Sequence, residues 1–174
     1  MLFDRQLFFH AHKQQNNRRY DLKILGFLQG AARTSNAEIA RQVNMAPSAV
    51  LERIRKLEES GIIRGFETRL NSEVFGLRLL AFVFVRTNDS THSRRTVQVL
   101  GDIPEVQEVH HIAGEDCFIV KVRTSTPQAL GRLLREKIGP LESVISTRTT
   151  IVLETQKESG QLPLSIPIVE ESHA

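Results

Sequence analysis

Cysteine is almost missing from this chain: 174 residues contain one, Cys117. That excludes an intramolecular disulfide and makes a reducing cytoplasm the expected compartment. Long apolar runs are missing too. None approaches the ~20 residues that a membrane-spanning helix needs. The opening MLFDRQLFFHAH is too short and too interrupted by charge to read as a signal peptide. There is no phosphate loop and no glycine-rich dinucleotide turn. Aromatic residues make up only 6% of the chain, little for a pocket that would grip a large flat cofactor. His10, His12, His110 and His111 invite a metal reading, but neighbours on a strand point to opposite faces, so His110 and His111 do not share one ion. Cys117 opens a strand behind a glycine turn, has no histidine placed in sequence to activate it, and reads as packing. No catalytic residue, cofactor or metal is expected, and the chain does not read as an enzyme.

What is present is organised around Ser35 to Gly61, SNAEIARQVNMAPSAVLERIRKLEESG. Ser35 with Glu38 three places on forms a capping box, in which the serine takes an orphan helical N–H and the glutamate reaches back. Ile39, Ala40 and Val43 give the first helix a narrow apolar stripe. Asn44 tolerates the left-handed backbone of a sharp turn, and Pro47 suits the first position of the next helix. Val50, Ile54 and Leu57 then repeat at i, i+4 and i+7, with Leu51 on the flank, until Gly61 stops the helix. Ser48, Ala49, Glu52, Arg55 and Lys56 point away from that stripe, and Arg53 lies at its border. A helix-turn-helix needs this pattern: an apolar back to dock on its partners and an open front to enter the major groove. Ser48, Ala49 and Glu52 are expected at base edges, and Arg53, Arg55 and Lys56 mainly at phosphates.

Charge agrees with a polyanion-binding amino-terminal half. Residues 1–70 carry twelve Lys and Arg against seven Asp and Glu, and residues 71–174 carry eleven against thirteen. The first half is therefore basic and the second slightly acidic. Residues 1–17 hold no clean period, and HKQQNN reads as a loop, so they are expected to be a tail. An amphipathic helix with Ile24, Leu25 and Leu28 is predicted from Arg18 to Gly30. After Gly61, the run IIRGFETRLN suits a wing or hairpin, and NSEVFG suits a single helical turn. The first domain is expected to span 18–70 with a short linker.

The second half has a different rhythm. Strands are predicted at 77–87, 106–112, 117–122 and 143–153, with helices from Thr91 to Leu100, capped by Ser90 or Thr91, and from the Thr126 cap to Gly139. The order β-α-β-β-α-β is the ferredoxin-like arrangement, expected over 71–157 with a tail from 158 to 174. Helices cover one face of such a sheet. Yet Leu80, Phe82 and Phe84 alternate with Ala81, Val83 and Val85, so the first strand is apolar on both faces. A half-covered antiparallel sheet should alternate with polar residues. Residues 155–174 contain Gly160, Pro163 and Pro167 and make a poor cover, which leaves a second copy of the chain as the expected one.

An α+β chain with an amino-terminal winged helix-turn-helix followed by a β-α-β-β-α-β domain resembles the feast/famine regulators, the Lrp/AsnC family. The resemblance covers about residues 18–157. It rests on Asp21 with Ile24-Leu25, on ARTSNAEIARQVNMAPSAVLERIRKLEESGIIRGF, and on EVHHIAGEDCFIVKV. It implies a transcription regulator that binds double-stranded DNA, dimerises through its sheets, assembles further to tetramers or octamers, and binds an amino acid or related effector. The effector site it implies involves Gly114, Glu115, Asp116 and Cys117, with Thr147, Thr149 and Thr150 nearby. A tight glycine turn can offer N–H groups to a carboxylate, and acidic side chains suit an ammonium.

Three departures stand out. Where the family usually shows Gly-Asp/Glu-Tyr-Asp-Tyr, Asp116 and Cys117 occupy the tyrosine and following aspartate positions. Ala46 replaces the usual serine cap of the recognition helix, a loss of about 1 kcal/mol. Asn17-Arg18 replaces the common Leu-Asp before the first helix. Two other functions share this outline: an architectural DNA-binding protein without a sensed ligand, and a decarboxylase of modified tetrapyrroles. The second needs basic and histidine side chains converging on a large pocket, whereas the turn here is acidic.

Overall fold

The computed structural model describes residues 3–88, 93–114 and 116–164, with side chains from residue 17 onward except those of Ser93 and Arg94. The chain divides into two compact units: Met1–Arg69 with the segment from Ser159, and Leu70–Glu158.

The first unit holds α1 (Phe3–Gly30), α2 (Asn36–Val43) and α3 (Pro47–Glu59). Helix α1 starts well ahead of Arg18, so the stretch expected to be a tail is helical from Phe3 to Asn17. No glycine or proline occurs before Gly26, and Lys, Gln, Leu and Arg are good helix formers. A helix nucleated by the packed half continues where nothing breaks it, even without an apolar period. Ile24, Ile39, Ala40, Val43, Val50 and Ile54 form the core, with Tyr20, Phe27, Leu28, Met45 and Ile63 packed around them. Full burial of Ile24, Ile39 or Val50 contributes about 1.5–3 kcal/mol each.

The turn between α2 and α3 follows the sequence closely. Ser35 Oγ accepts the Glu38 N–H at 3.2 Å. The second half of the predicted capping box differs, because Glu38 turns its carboxylate to Arg41 and Gln42 on its own helix. Asn44 takes the left-handed conformation, φ 55°, and Pro47 opens α3 behind an Ala46 that makes no side-chain cap. After Gly61, Ile63 folds back onto the core and donates its N–H to Leu57 O at 2.9 Å. Residues 64–71 form neither helix nor strand, so the expected wing is not a hairpin here. A lone two-stranded hairpin is marginal in water, and Phe66 and Leu70 lie exposed on this stretch.

The second unit holds β1 (Leu79–Thr87), α4 (Ser93–Gly101), β2 (Val106–His111), β3 (Phe118–Thr124), α5 (Pro127–Leu133) and β4 (Val144–Ile151). The predicted caps Ser90 and Thr91 lie outside the described residues. The strands form one antiparallel sheet in the order β2-β3-β1-β4. Ala81, Val83 and Val85 pair with Val122, Val120 and Phe118. These side chains share a core with Leu100, Ile103, Leu130, Leu133 and Ile138. Thr126 caps α5 by accepting the Ala129 N–H at 3.1 Å.

Helix α5 does not run on as an α-helix to Ile138. It widens into a π-turn over Leu134–Ile138, closed by the Gly139 N–H on Leu134 O at 2.8 Å. A Cβ at 139 would lie 2.9 Å from that same oxygen, so the close approach requires glycine.

Leu80, Phe82 and Phe84 lie on the open face, and the two phenylalanines are half-buried. Chain from beyond β4 does reach this face. Lys121 donates to Glu158 and, at 3.0 Å, to Glu108, and Arg123 lies 3.4 Å from Glu158. Self-cover, expected to be poor, is therefore partly made at the charged end of the face, where carboxylates rather than regular structure hold the segment.

Candidate nucleic-acid interface and effector site

Helix α3 buries Val50, Ile54 and Leu57 and leaves Ser48, Glu52, Arg55 and Lys56 exposed, with Ala49 half-buried beside them. Among the described residues the outer charges make only helix-surface pairs, Arg55–Glu59 at 2.8 Å and Lys56–Glu52 at 3.5 Å. Exposed pairs of this kind contribute little and exchange readily for a phosphate.

Arg53 behaves differently from the phosphate contact expected of it. Its guanidinium turns inward, donating to Asp21 Oδ1 at 2.8 Å and to Asn17 Oδ1 at 2.6 Å. It also lies 5.7 Å from the centre of the Tyr20 ring. Leu51 differs in the opposite sense: placed on the flank of the buried stripe by its spacing, it is 55% exposed beside Ser48 and Glu52. An apolar residue there can meet a thymine methyl group. The only sequence signal was its position off the i, i+4, i+7 row.

In the second unit the Ile112–Cys117 turn joins β2 to β3. The Ile112 N–H reaches Cys117 O at 2.9 Å, and Gly114 sits at φ 139°, where a side chain is strained. Glu115 lies outside the described residues. Asp116 is engaged by Arg148, Nη2 to Oδ2 at 2.8 Å, and the guanidinium stacks 4.0 Å from the centre of Phe84. Arg148, absent from the residues the sequence nominates, reaches Asp116 from 32 positions away, a contact with no local sequence signal. The Cys117 N–H bonds Val85 O at 3.0 Å, and its half-buried sulfur packs against the core. Hydrogen bonding with Thr87 holds the thiol below its usual pKa.

The threonines do not converge. Thr147 and Thr149 pair with Val85 and Val83 on the helix-side face, whereas Arg148 and Thr150 pair with Phe84 and Phe82 on the open face. Only Thr150 therefore shares a face with Arg148. A separate cleft of about 490 Å³ lies between Arg95, Thr96 and Val99 of α4 and residues 140–143, and contains none of the expected effector residues. Its one buried polar side chain, Thr96, is satisfied by Ser143 Oγ at 2.8 Å. Along β2, His110 faces Glu108 at 3.0 Å, while His111 packs on Phe118 with ring centres 5.1 Å apart. Among the described residues no group of three His, Cys, Asp or Glu side chains is placed to hold a metal.

Residues 17–64 match a winged helix-turn-helix DNA-binding family, and residues 80–162 match the Lrp/AsnC ligand binding domain. The HTH-type transcriptional regulator FL11 of Pyrococcus horikoshii is 36% identical over 144 residues, which is 83% of this chain and 94% of that protein. The chain belongs to the Lrp/AsnC family of transcriptional regulators. A second Lrp/AsnC relative, the Leucine-responsive regulatory protein of Escherichia coli, is 34% identical over 146 residues, 83% of this chain and 89% of that one. The solved Neisseria meningitidis transcriptional regulator NMB0573, in complex with L-Met, superposes with a TM-score of 0.79 at 27% identity. That likeness covers 84% of this chain and 96% of that one. The Lrp/AsnC plan thus places α2 and α3 in a DNA-binding module, and the turn at Gly114 and strand β4 in a ligand-binding domain.

Proposed function

We propose that this Lrp/AsnC regulator binds specific duplex sequences through α3 in the cytoplasm, and that an amino acid bound at the Gly114–Cys117 turn tunes its assembly or DNA affinity. The DNA-binding function occupies about residues 18–70, and effector binding and assembly about 71–157. Ser48, Ala49 and Glu52, joined by Leu51, face base edges, and Arg55 and Lys56 hold phosphates. The observation that carries this reading is α3 itself, with an apolar back fully docked and a polar, basic front left open.

The amino-acid class draws support from the names of two relatives, one leucine-responsive and one solved with L-Met. The chemistry of the turn agrees. An α-amino acid carries an ammonium for Asp116 and a carboxylate for Arg148 or the Gly114 backbone, exchanging one ion pair for two. The half-buried Phe82 and Phe84 favour pairing of two copies through their sheets, with tetramers or octamers built from such dimers. One observation favours the ligand-free architectural reading: Asp116 is already neutralised by Arg148.

Two measurements separate these readings. Arg55→Ala should weaken binding to every duplex in a gel-shift titration and reduce the log–log salt slope by about 0.9. No change there would remove α3 from the DNA surface. In a thermal-shift screen of the twenty amino acids, a binder at a hundred times its dissociation constant should add about 2.7 kcal/mol of stability. No shift with any of them would leave the architectural reading.

A further inference from the structure

Arg53 carries a role that neither DNA contact nor core packing describes. It lies on α3 next to the buried Ile54, yet its charge is not available to the solvent front. Its side chain is 21% exposed, and the Asp21 carboxylate facing it is 28% exposed. Three hydrogen bonds tie the guanidinium to α1: Nη1 to Asp21 Oδ1 at 2.8 Å, Nη2 to Asn17 Oδ1 at 2.6 Å, and Nη1 to Asn17 O at 3.5 Å. Tyr20 adds its ring face. A phosphate that recruited Arg53 would have to displace Asp21 and leave its partly buried carboxylate without its cation. A cation already neutralised by a neighbour also releases few counterions from DNA.

We propose that Arg53 is a positioning residue for DNA readout, a planar brace between α1 and α3 that fixes how α3 is presented. The apolar contacts of Val50, Ile54 and Leu57 are not directional and permit small rolls of α3 about its own axis. The forked guanidinium is directional, because its two terminal nitrogens donate to separate acceptors one helical turn apart on α1, Asp21 Oδ1 and Asn17 Oδ1. Contacts to base edges need placement within about 0.5 Å and 10–20°, whereas Arg55 and Lys56 can follow a phosphate on flexible stems. Loss of the brace therefore damages sequence discrimination far more than general affinity for DNA.

The proposal rests on the DNA-binding reading, and the experiment distinguishes the two. A duplex is selected from a random pool with the wild-type full chain, and a scrambled duplex of equal length serves as reference. Binding to both is titrated against salt for wild type, Arg53→Gln and the nearly isosteric Asp21→Asn, with folding checked by circular dichroism below each melting midpoint. Both variants should lose at least tenfold on the selected duplex and less than twofold on the scrambled one, with an unchanged salt slope on the latter.

Asp21→Asn gives the decisive sign. If Arg53 were a phosphate contact, releasing it from Asp21 would strengthen binding to both duplexes, and Arg53→Gln would lower the slope by about 0.9. That result overturns the proposal. So does a fall in melting midpoint with discrimination intact, which marks a purely structural bond. A wild-type chain that enriches no duplex overturns both the proposal and the sequence-specific reading beneath it, whereas loss of binding to the scrambled duplex as well would overturn DNA binding itself.

Discussion

Arg53 and Arg55 stand two places apart on one helix and face different tasks, because Asp21 and Asn17 of α1 meet the first and Glu59 of the same helix meets the second. The same logic of partners governs the acidic side chains. Asp116 meets Arg148 through Oδ2 and in the proposed site also receives the effector's ammonium, so Asp116→Ala should abolish stabilisation by any effector while leaving ligand-free DNA affinity nearly unchanged. Calorimetry showing equal amino-acid affinity in wild type and variant would move the site elsewhere. Glu105 accepts two 2.7 Å hydrogen bonds from Lys137, which hold its carboxyl below the ordinary 4.5. A folded-state value below the unfolded one adds stability above the unfolded pKa and loses it as pH falls through the folded pKa. Urea midpoints should accordingly decline below about pH 4.5, and Glu105→Gln should make that decline shallower. An identical profile in the variant would show that other carboxylates carry the acid sensitivity.

At the scale of elements, the π-turn after α5 gives the sharpest expectation. Gly139→Ala places a methyl group 2.9 Å from Leu134 O, against backbone that cannot swing away. The cost of such overpacking is about 1–3 kcal/mol, read as a lower urea midpoint. Gly160→Ala, where an added Cβ meets nothing within 4 Å, is the matched control.

The sequence made helix starts and strand faces legible wherever the signal was local: Ser35 and Thr126 as caps, Asn44 as the left-handed turn, the alternation through β1. What it hid was non-local or chosen among equals. Arg53 meets Asp21 from 32 positions away. Glu38 had two helix-surface partners competing with the Ser35 backbone. At the proposed effector turn, parity along β4 already separated Thr150 from Thr147 and Thr149, and Arg148 shares Thr150's parity. The pairing of Arg148 with Asp116 depended on how β3 and β4 flank β1.

For the whole molecule, the two faces of β1 make separable demands. Val83 is fully buried beneath the helices, so Val83→Lys should prevent cooperative folding. Phe84 lies on the open face under Arg148, so Phe84→Lys should leave a folded chain that light scattering weighs as a monomer, against a dimer or larger species for wild type. A wild-type monomer at micromolar concentration, soluble and cooperatively folded, would end the pairing of sheets. The lone cysteine turns this question into a distance. Each copy carries one thiol, at the proposed effector turn and with its pKa lowered by Thr87. A nitroxide attached there needs no engineered background. Two such labels in a symmetric dimer would give a single spin–spin separation, which reports assembly alone, because the label itself occupies the proposed effector turn.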